Sequence, residues 1–383
     1  MNHINVFELI KLSLWGEGHP TVDATVYQEI KSQAIAALPA TVLSSFNLPQ
    51  ELMAEWRSVI LQQISFYVRY HYVQEHLPLD VPYVVLKGTS AAQYYPHPEY
   101  RTMGDIDIMT QREDYERACE TMLKNGWCDM TSRSGQERGR HRAFARQGVT
   151  VEIHAFFASM NDTQKARAFD DLIVNNITEN HVLPDLINGL VLIEHVNQHM
   201  EQGIGLRQII DWMMFVNRCI RDDNWQQFEM MAIQTGLREL VVITTRMCEM
   251  YLGLPTHEWC SGVNEQLCRD LMEYIVKCGD FGIKLNQSEV LSINRMYRLR
   301  HPIATIKDLQ RRGCESWKAA KYPLLRPFAW IWEGRQLLLE TPSVIEGYRD
   351  SRKMNVLFKA LGIRRETDGL VFYQEGHYFK QKK

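Results

Sequence analysis

Two aspartates stand two residues apart in Asp105-Ile106-Asp107-Ile108-Met109, with apolar residues between and after them. That alternation is the period of a half-buried strand, in which residues two apart share a face. Asp105 and Asp107 therefore project together, while Ile106 and Ile108 point into a core. At a rise of about 3.3 Å per residue, the two Cβ atoms lie roughly 6–7 Å apart. Carboxylates at that spacing can share one hard cation or hold two; Mg2+ takes oxygen ligands, typically one or two carboxylates plus substrate phosphates. A third acid, Glu152, lies in a second alternating run, Val149-Thr150-Val151-Glu152-Ile153-His154. If the two strands pair, Glu152 joins the aspartates on one face, and three clustered acids need a cation to offset their repulsion. A two-metal site with ions about 3.5–4 Å apart uses all three. One ion would orient and activate an attacking hydroxyl, and the other would hold a nucleotide's phosphates.

The segments around these acids add the groups such chemistry needs. Gly88-Thr89-Ser90 follows a short apolar run and opens a helical stretch. Small residues there let the backbone approach phosphate oxygens, and free N–H groups at a helix start favour anions. Lys87 and Arg101 add positive charge, and Arg101-Thr102-Met103-Gly104 leads directly into the aspartates. His154 shares a face with Glu152 and reads as a hydrogen-bonded structural histidine or as a residue backing the acids. His199, Arg207 and Asp211 form a polar set further along, with Arg207 and Asp211 at the i, i+4 spacing of a helical ion pair. His195 and His199 have the spacing of a zinc helix, but residue 196 is Val where a metalloprotease needs Glu. Gly203-x-Gly205 follows a helix and has no third glycine, which excludes a dinucleotide fingerprint. No G-x-S-x-G elbow and no Walker-type Gly-Lys-Ser/Thr occurs.

The elements that must position these residues follow from periodicity and punctuation. Residues 5–77 read as helical. Thr21-Val22-Asp23 caps a helix to about Leu38, and the three-and-four spacing from Leu52 to Gln74 marks an amphipathic helix. Val81 to Leu86 is a short β-branched run suited to a strand, residues 89–95 start a helix, and 96–104 form a loop. Glu113 to Asn125 is a helix ended by Gly126. His141 to Arg146, the turn Gln147-Gly148 and Val149 to Phe156 read as a hairpin. Helical patterns then recur near 165–176, 185–201, 205–220, 223–235, 236–252 and 263–278. The plan is α+β: a helical region at 1–79, a strand-rich core at 80–160, a helical domain at 161–300, and a basic, mainly helical region at 301–383.

Composition fits this plan and excludes other classes. The 383 residues are 45% hydrophobic and 23% charged, with a net charge of −3, the profile of a globular chain with an adequate core. Residues 301–383 carry 16 Lys+Arg against 9 Asp+Glu, read as a basic solvated face before an anion-binding one. Nucleic acid is thus a conceivable partner without being indicated. The eight cysteines are scattered with no C-x-x-C pair, which suits reduced thiols in the cytoplasm. The N-terminus has no secretory pattern, and no apolar run reaches the roughly 18 residues of a membrane span.

A strand ending in Gly and a small hydroxyl residue, an Asp-x-Asp strand and a later acidic strand residue together resemble the DNA-polymerase-beta-type nucleotidyltransferase superfamily. More closely, Leu86-Lys87-Gly88, Tyr94-Tyr95-Pro96 and Arg101-Thr102-Met103-Gly104-Asp105-Ile106-Asp107-Ile108 are similar to a bacterial family of uncharacterised nucleotidyltransferases. The likeness covers about residues 80–160, and His195 to Asp211 resembles that family's helical part. The turn differs from the superfamily's usual Gly-Ser or Gly-Gly in placing Thr89 after Gly88.

The resemblance implies a small mixed sheet packed by helices, two Mg2+ ions, and transfer of a nucleoside monophosphate from an NTP with release of pyrophosphate. By motif position Asp105, Asp107 and Glu152 would be the metal ligands and catalytic carboxylates, and Gly88, Thr89 and Ser90 the phosphate-contacting turn. Lys87, Arg101 and Gly104 complete the candidate nucleotide-binding set, with His154, His199, Arg207 and Asp211 behind it. The acceptor, a hydroxyl or phosphate, is not named by these residues, and neither is the oligomeric state. Two rival expectations stand beside this one: an enzyme of toxin–antitoxin type that modifies a protein or tRNA, and a nucleotide-binding module without turnover.

Overall fold

The computed structural model describes residues 3–131, 140–160, 162–200 and 203–285, and beyond them chiefly 322–339, 353–363, 371–374 and 377–380. The chain starts with helices α1 (Ile4–Trp15) and α2 (Ala24–Ser32). Asp23 caps α2 as its sequence position predicts, accepting the Val26 N–H at 2.9 Å. The helix stops at Ser32, short of the expected Leu38. Ala34 takes a left-handed conformation (φ 55°), and two 3-10 turns at Leu38–Thr41 and Leu43–Ser45 follow. The long helix α3 (Gln50–Glu75) then buries Trp56, Ile60, Gln63 and Tyr70 along one side.

The sheet comes next. It is built from β1 (Tyr83–Val85), β2 (Ile106–Thr110), β3 (Cys128–Asp129), β4 (His141–Arg146) and β5 (Val149–His154), in the order β1-β2-β5-β4-β3. Only β2 and β5 run parallel; the other neighbours are antiparallel. The expected hairpin is present, with Gln147 (φ 51°) and Gly148 (φ 76°) both left-handed, the twist a two-residue turn requires. The two-residue strand β3 extends the sheet beyond what periodicity could reveal. Between strands lie the short helix α4 (Thr89–Ala92) and helix α5 (Tyr115–Lys124), the latter followed by left-handed Gly126 (φ 78°).

Strand alternation separates two cores. Tyr83, Val85, Ile106, Ile108, Phe144, Val149, Val151 and Ile153 face Ala118, Cys119 and Met122 of α5 and Tyr70 of α3. Val84, Leu86 and Met109 face the other way, into a larger core shared with the helices. Those helices are α6 (Thr163–Val174), α7 (Asp185–His199), α8 (Leu206–Cys219), α9 (Asp222–Thr235), α10 (Arg238–Leu252) and α11 (Glu265–Cys278). Helices α7 and α8 approach closely at Gly189, where a Cβ would lie 2.1 Å from Phe215 Cζ. The N-terminal helices join the same core: Trp15 Nε1 donates to Leu252 O at 2.7 Å, and Gln33 Oε1 accepts the Leu206 N–H at 3.0 Å. One apolar core therefore crosses the sequence divisions drawn at 79/80 and 160/161.

Much of the basic region 301–383 lies outside the described residues. Its described parts include helix α12 (Arg326–Leu339), a helix at 353–360, and an antiparallel pair, β6 (Val371–Gln374) with β7 (His377–Lys380). That pair is an element the helical reading of the region did not contain. Among the described residues no helix is long and apolar enough to cross a membrane.

Candidate functional site

The parallel pairing of β2 and β5 sets Asp107 opposite Glu152 and Met109 opposite His154. Because Ile106 and Ile108 are committed to the α5 side, Asp105 and Asp107 emerge on the side of the helical body, where Glu152 and His154 join them. Asp105, Asp107 and Glu152 each bring a carboxylate oxygen within 4.8 Å of the others.

Asp107 is completely buried. Its Oδ1 lies 2.8 Å from Lys87 Nζ and 2.8 Å from His154 Nε2, while Oδ2 is buried with no hydrogen-bond partner. Burial would raise its pKa, but the Lys87 ammonium and the His154 hydrogen bond win and hold it below the ordinary carboxylate range. The same burial pushes Asp105 upward, reinforced by the charge on Asp107. Glu152 is pushed up to about 8 by burial and then by Asp107 and Asp105. One carboxylate thus keeps its charge and two resist ionisation until more positive charge arrives. A buried, unpartnered oxygen beside two acids whose ionisation is opposed by burial and by a neighbouring negative charge is the donor set that suits a hard cation.

The turn before the acids is built as the sequence suggests, but its side chains point to structural partners. Gly88 has φ 65° and ψ −111°, and a Cβ there would press to 3.3 Å on the Asp105 carbonyl. Glycine therefore lets the turn pass close to the aspartate strand. The Thr89 hydroxyl donates to Gln74 of α3, and Ser90 Oγ donates to Asn188 Oδ1 of α7 at 2.9 Å. Lys87 Nζ also lies 5.9 Å over the Phe157 ring.

Arg101 is buried, and its fork grips Asp211 of α8: Nε to Oδ1 at 3.0 Å and Nη2 to Oδ2 at 2.6 Å. Tyr95 OH adds a bond to Asp211 Oδ1 at 2.7 Å. The expected Arg207–Asp211 helical pair is therefore not formed, because Asp211 is turned inward to Arg101. Arg207 instead pairs with Asp280 at 3.2 Å and lies 5.4 Å from the Phe281 ring. Its Nη1 is 3.8 Å from where a Gly104 Cβ would sit, and its charge helps restrain the rise of the Asp105 pKa. His199 packs between His195 and Phe281, at 4.7 and 4.9 Å between ring centres. Burial and the charge of Lys87 push it down to about 3.

Helices on both sides hold the loops that carry these groups. Gln63 of α3 donates to the Arg101 carbonyl at 2.6 Å and accepts the Met103 N–H at 3.3 Å, and Tyr70 OH donates to the Gly104 carbonyl. After β5, the Phe157 and Ala158 N–H groups donate to Asp170 of α6 at 2.9 and 3.0 Å, and the Ser159 N–H to Glu194 of α7 at 2.6 Å.

The sequence reading missed His141. The two-residue turn pairs it with His154 and sets Ala143 opposite Glu152; counting back from Gln147-Gly148 would have found it. His141 Nε2 lies 3.6 Å from Glu152 Oε1. Burial, followed by the neighbouring His154, pushes its pKa down to about 3.

A family described as uncharacterised nucleotidyltransferase matches residues 20–253, more than half of the chain. No match was found among curated proteins or among solved structures.

Proposed function

Because the chain belongs to this family of uncharacterised nucleotidyltransferases, we propose that it transfers a nucleoside monophosphate from an NTP to a hydroxyl or phosphate of an acceptor. Two Mg2+ ions would be held by Asp105, Asp107 and Glu152. The observation that carries this reading is the set of three carboxylates within 4.8 Å of one another, with Asp107 Oδ2 buried and unpartnered. Bound there, Mg2+ would polarise the α-phosphoryl group and neutralise the charge of departing pyrophosphate.

The chain's own residues have separable tasks. Lys87 and His154 grip one oxygen of Asp107 and so fix the direction of the other. Glu152, on the neighbouring strand, is the acceptor-side carboxylate; with its own proton displaced by bound metal, it would be the group placed to take a proton from the attacking hydroxyl. The Gly88 turn brings the backbone close to the acids, and Lys87 and Arg207 supply positive charge for phosphates. Arg101 and Asp211 act one step back, by holding the loop that ends at Asp105. Most of the rate in such a site comes from positioning and fixed charge.

The test is Asp105→Asn combined with Asp107→Asn. Mg2+-dependent NTP binding and pyrophosphate release should both fall by at least about a hundredfold, the scale of losing fixed electrostatic groups in a dry site. If both remain at wild-type levels, the reading fails. Labelled NTP with a cell extract assigns the acceptor. Label in protein or RNA favours a toxin–antitoxin-type activity, and label in a small molecule does not. NTP binding without pyrophosphate release across acceptors would mark a binding module.

A further inference from the structure

The strand face that bears the three acids also bears two imidazoles. His141 and His154 are register partners on β4 and β5, and their ring centres are 5.1 Å apart. Glu152 lies between them and turns one oxygen to each: His141 Nε2 to Oε1 is 3.6 Å, and His154 Nε2 to Oε2 is 3.6 Å. Neither distance is a hydrogen bond. Each of the three groups offers a ligand atom within 4.8 Å of the others. Ala143, opposite Glu152, adds little bulk to that face.

We propose that His141, His154 and Glu152 form a nitrogen-containing metal position for a borderline transition ion of the Zn2+ or Co2+ class, beside the oxygen-only position of Asp105 and Asp107. A tetrahedral ion with ligands at about 2.0–2.1 Å keeps its ligand atoms roughly 3.3 Å apart, so the three groups, now within 4.8 Å of one another, would draw together around it. The side chains are well enclosed, at 4% exposure for His154, 18% for His141 and 21% for Glu152. The Nδ1 atoms of both rings are buried and have no hydrogen-bond partner among the described residues. His154 Nε2 is engaged with Asp107 Oδ1, but Lys87 holds that same oxygen. The carboxylate therefore keeps a partner when the imidazole turns to a cation. Imidazole with one carboxylate selects transition ions over Mg2+, which demands oxygen ligands. A bridging role for Glu152 between the two positions rests on the reading of Asp105 and Asp107 given above; the histidine position does not.

The test uses the full chain stripped with a chelator and titrated with Co2+ in a large excess of Mg2+, followed by visible absorption. The expected result is one tightly held equivalent with the intense spectrum of a four- or five-coordinate site, displaced by Zn2+ and not by Mg2+. His141→Ala should weaken Co2+ binding by at least about tenfold, with thermal melting used to check the fold. His141→Gln, closer in size, should lose binding to the same degree. Asp105→Asn should keep the Co2+ spectrum while Mg2+-dependent NTP binding falls. A weak octahedral spectrum washed out by Mg2+, or wild-type Co2+ affinity in a folded His141 variant, overturns the proposal. Either result obtained with NTP binding intact removes the histidine position alone. Absence of Mg2+-dependent NTP binding in the unaltered chain tells separately against the nucleotidyl-transfer reading.

Discussion

At Asp107 the Lys87 ammonium and a hydrogen bond from His154 compete with burial for the state of one carboxylate, and the outcome reaches its neighbours. Once Asp107 is held ionised by Lys87 and His154, its charge adds to desolvation in raising Glu152 from 4.5 to about 8. A carboxyl whose pKa in the fold lies above its unfolded value binds a proton that the unfolded chain has lost. Glu152 therefore costs stability increasingly as pH rises through that interval, and bound metal would relieve the cost. Metal binding at about pH 7 should then release about one proton, and above about pH 9 almost none. Calorimetry in buffers of different ionisation enthalpy measures this directly. Glu152→Gln should abolish the release, and an unchanged release in that variant would assign the proton elsewhere. The Asp-x-Asp pair and the third acid were legible from strand alternation. The grip of Lys87 and His154 on one chosen oxygen was not, because it depends on how three separate segments meet.

Elements place the residues, and the loop from Arg101 to Gly104 shows how. Gln63 and Tyr70 of α3 hold its backbone, and Asp211 of α8 holds the Arg101 side chain, 110 residues away in sequence. Sequence spacing suggested an Arg207–Asp211 pair within one helix. The fold prefers the planar, two-bond match of Arg101 to a buried carboxylate, which exceeds the few tenths of a kcal/mol of an exposed i, i+4 pair. Arg101→Met should leave Asp211 buried without its cation, at a cost of about 3–5 kcal/mol. Urea denaturation reads this as a lower midpoint with an unchanged slope. Asp211→Asn combined with Arg101→Met should recover part of the loss, since no uncompensated charge remains. A single variant as stable as the wild type would show that the pair does not anchor the loop.

Across the whole molecule, a continuous core joins the N-terminal helices, one sheet face and the helical body. Such a core should unfold as one unit, and the cysteines report on it. All eight are free thiols; Cys119, Cys248, Cys260, Cys268 and Cys278 are buried, while Cys128 and Cys314 are exposed and Cys219 is intermediate. A thiol reagent should label the exposed pair quickly, and the five buried thiols together at the rate of global opening. A reductant should leave the melting temperature unchanged. Early labelling of Cys119, which lies under the sheet, without Cys248 or Cys268 would mean that the two cores open separately.

What the sequence by itself determined is what short-range geometry dictates. Period-2 alternation put Asp105 with Asp107 and Glu152 with His154, Gln147-Gly148 demanded a tight hairpin, and three-and-four spacing marked the long helices. These follow from backbone steric rules that act over a few residues. The tertiary structure alone decided that β2 and β5 lie side by side and parallel, and that Thr89 and Ser90 spend their hydroxyls on Gln74 and Asn188. It alone gave Arg101 to Asp211 and set His141 and His154 around Glu152. Those pairings bring together groups far apart in the chain. Burial selects them, because a polar group removed from water must find a partner wherever the packed helices and strands present one.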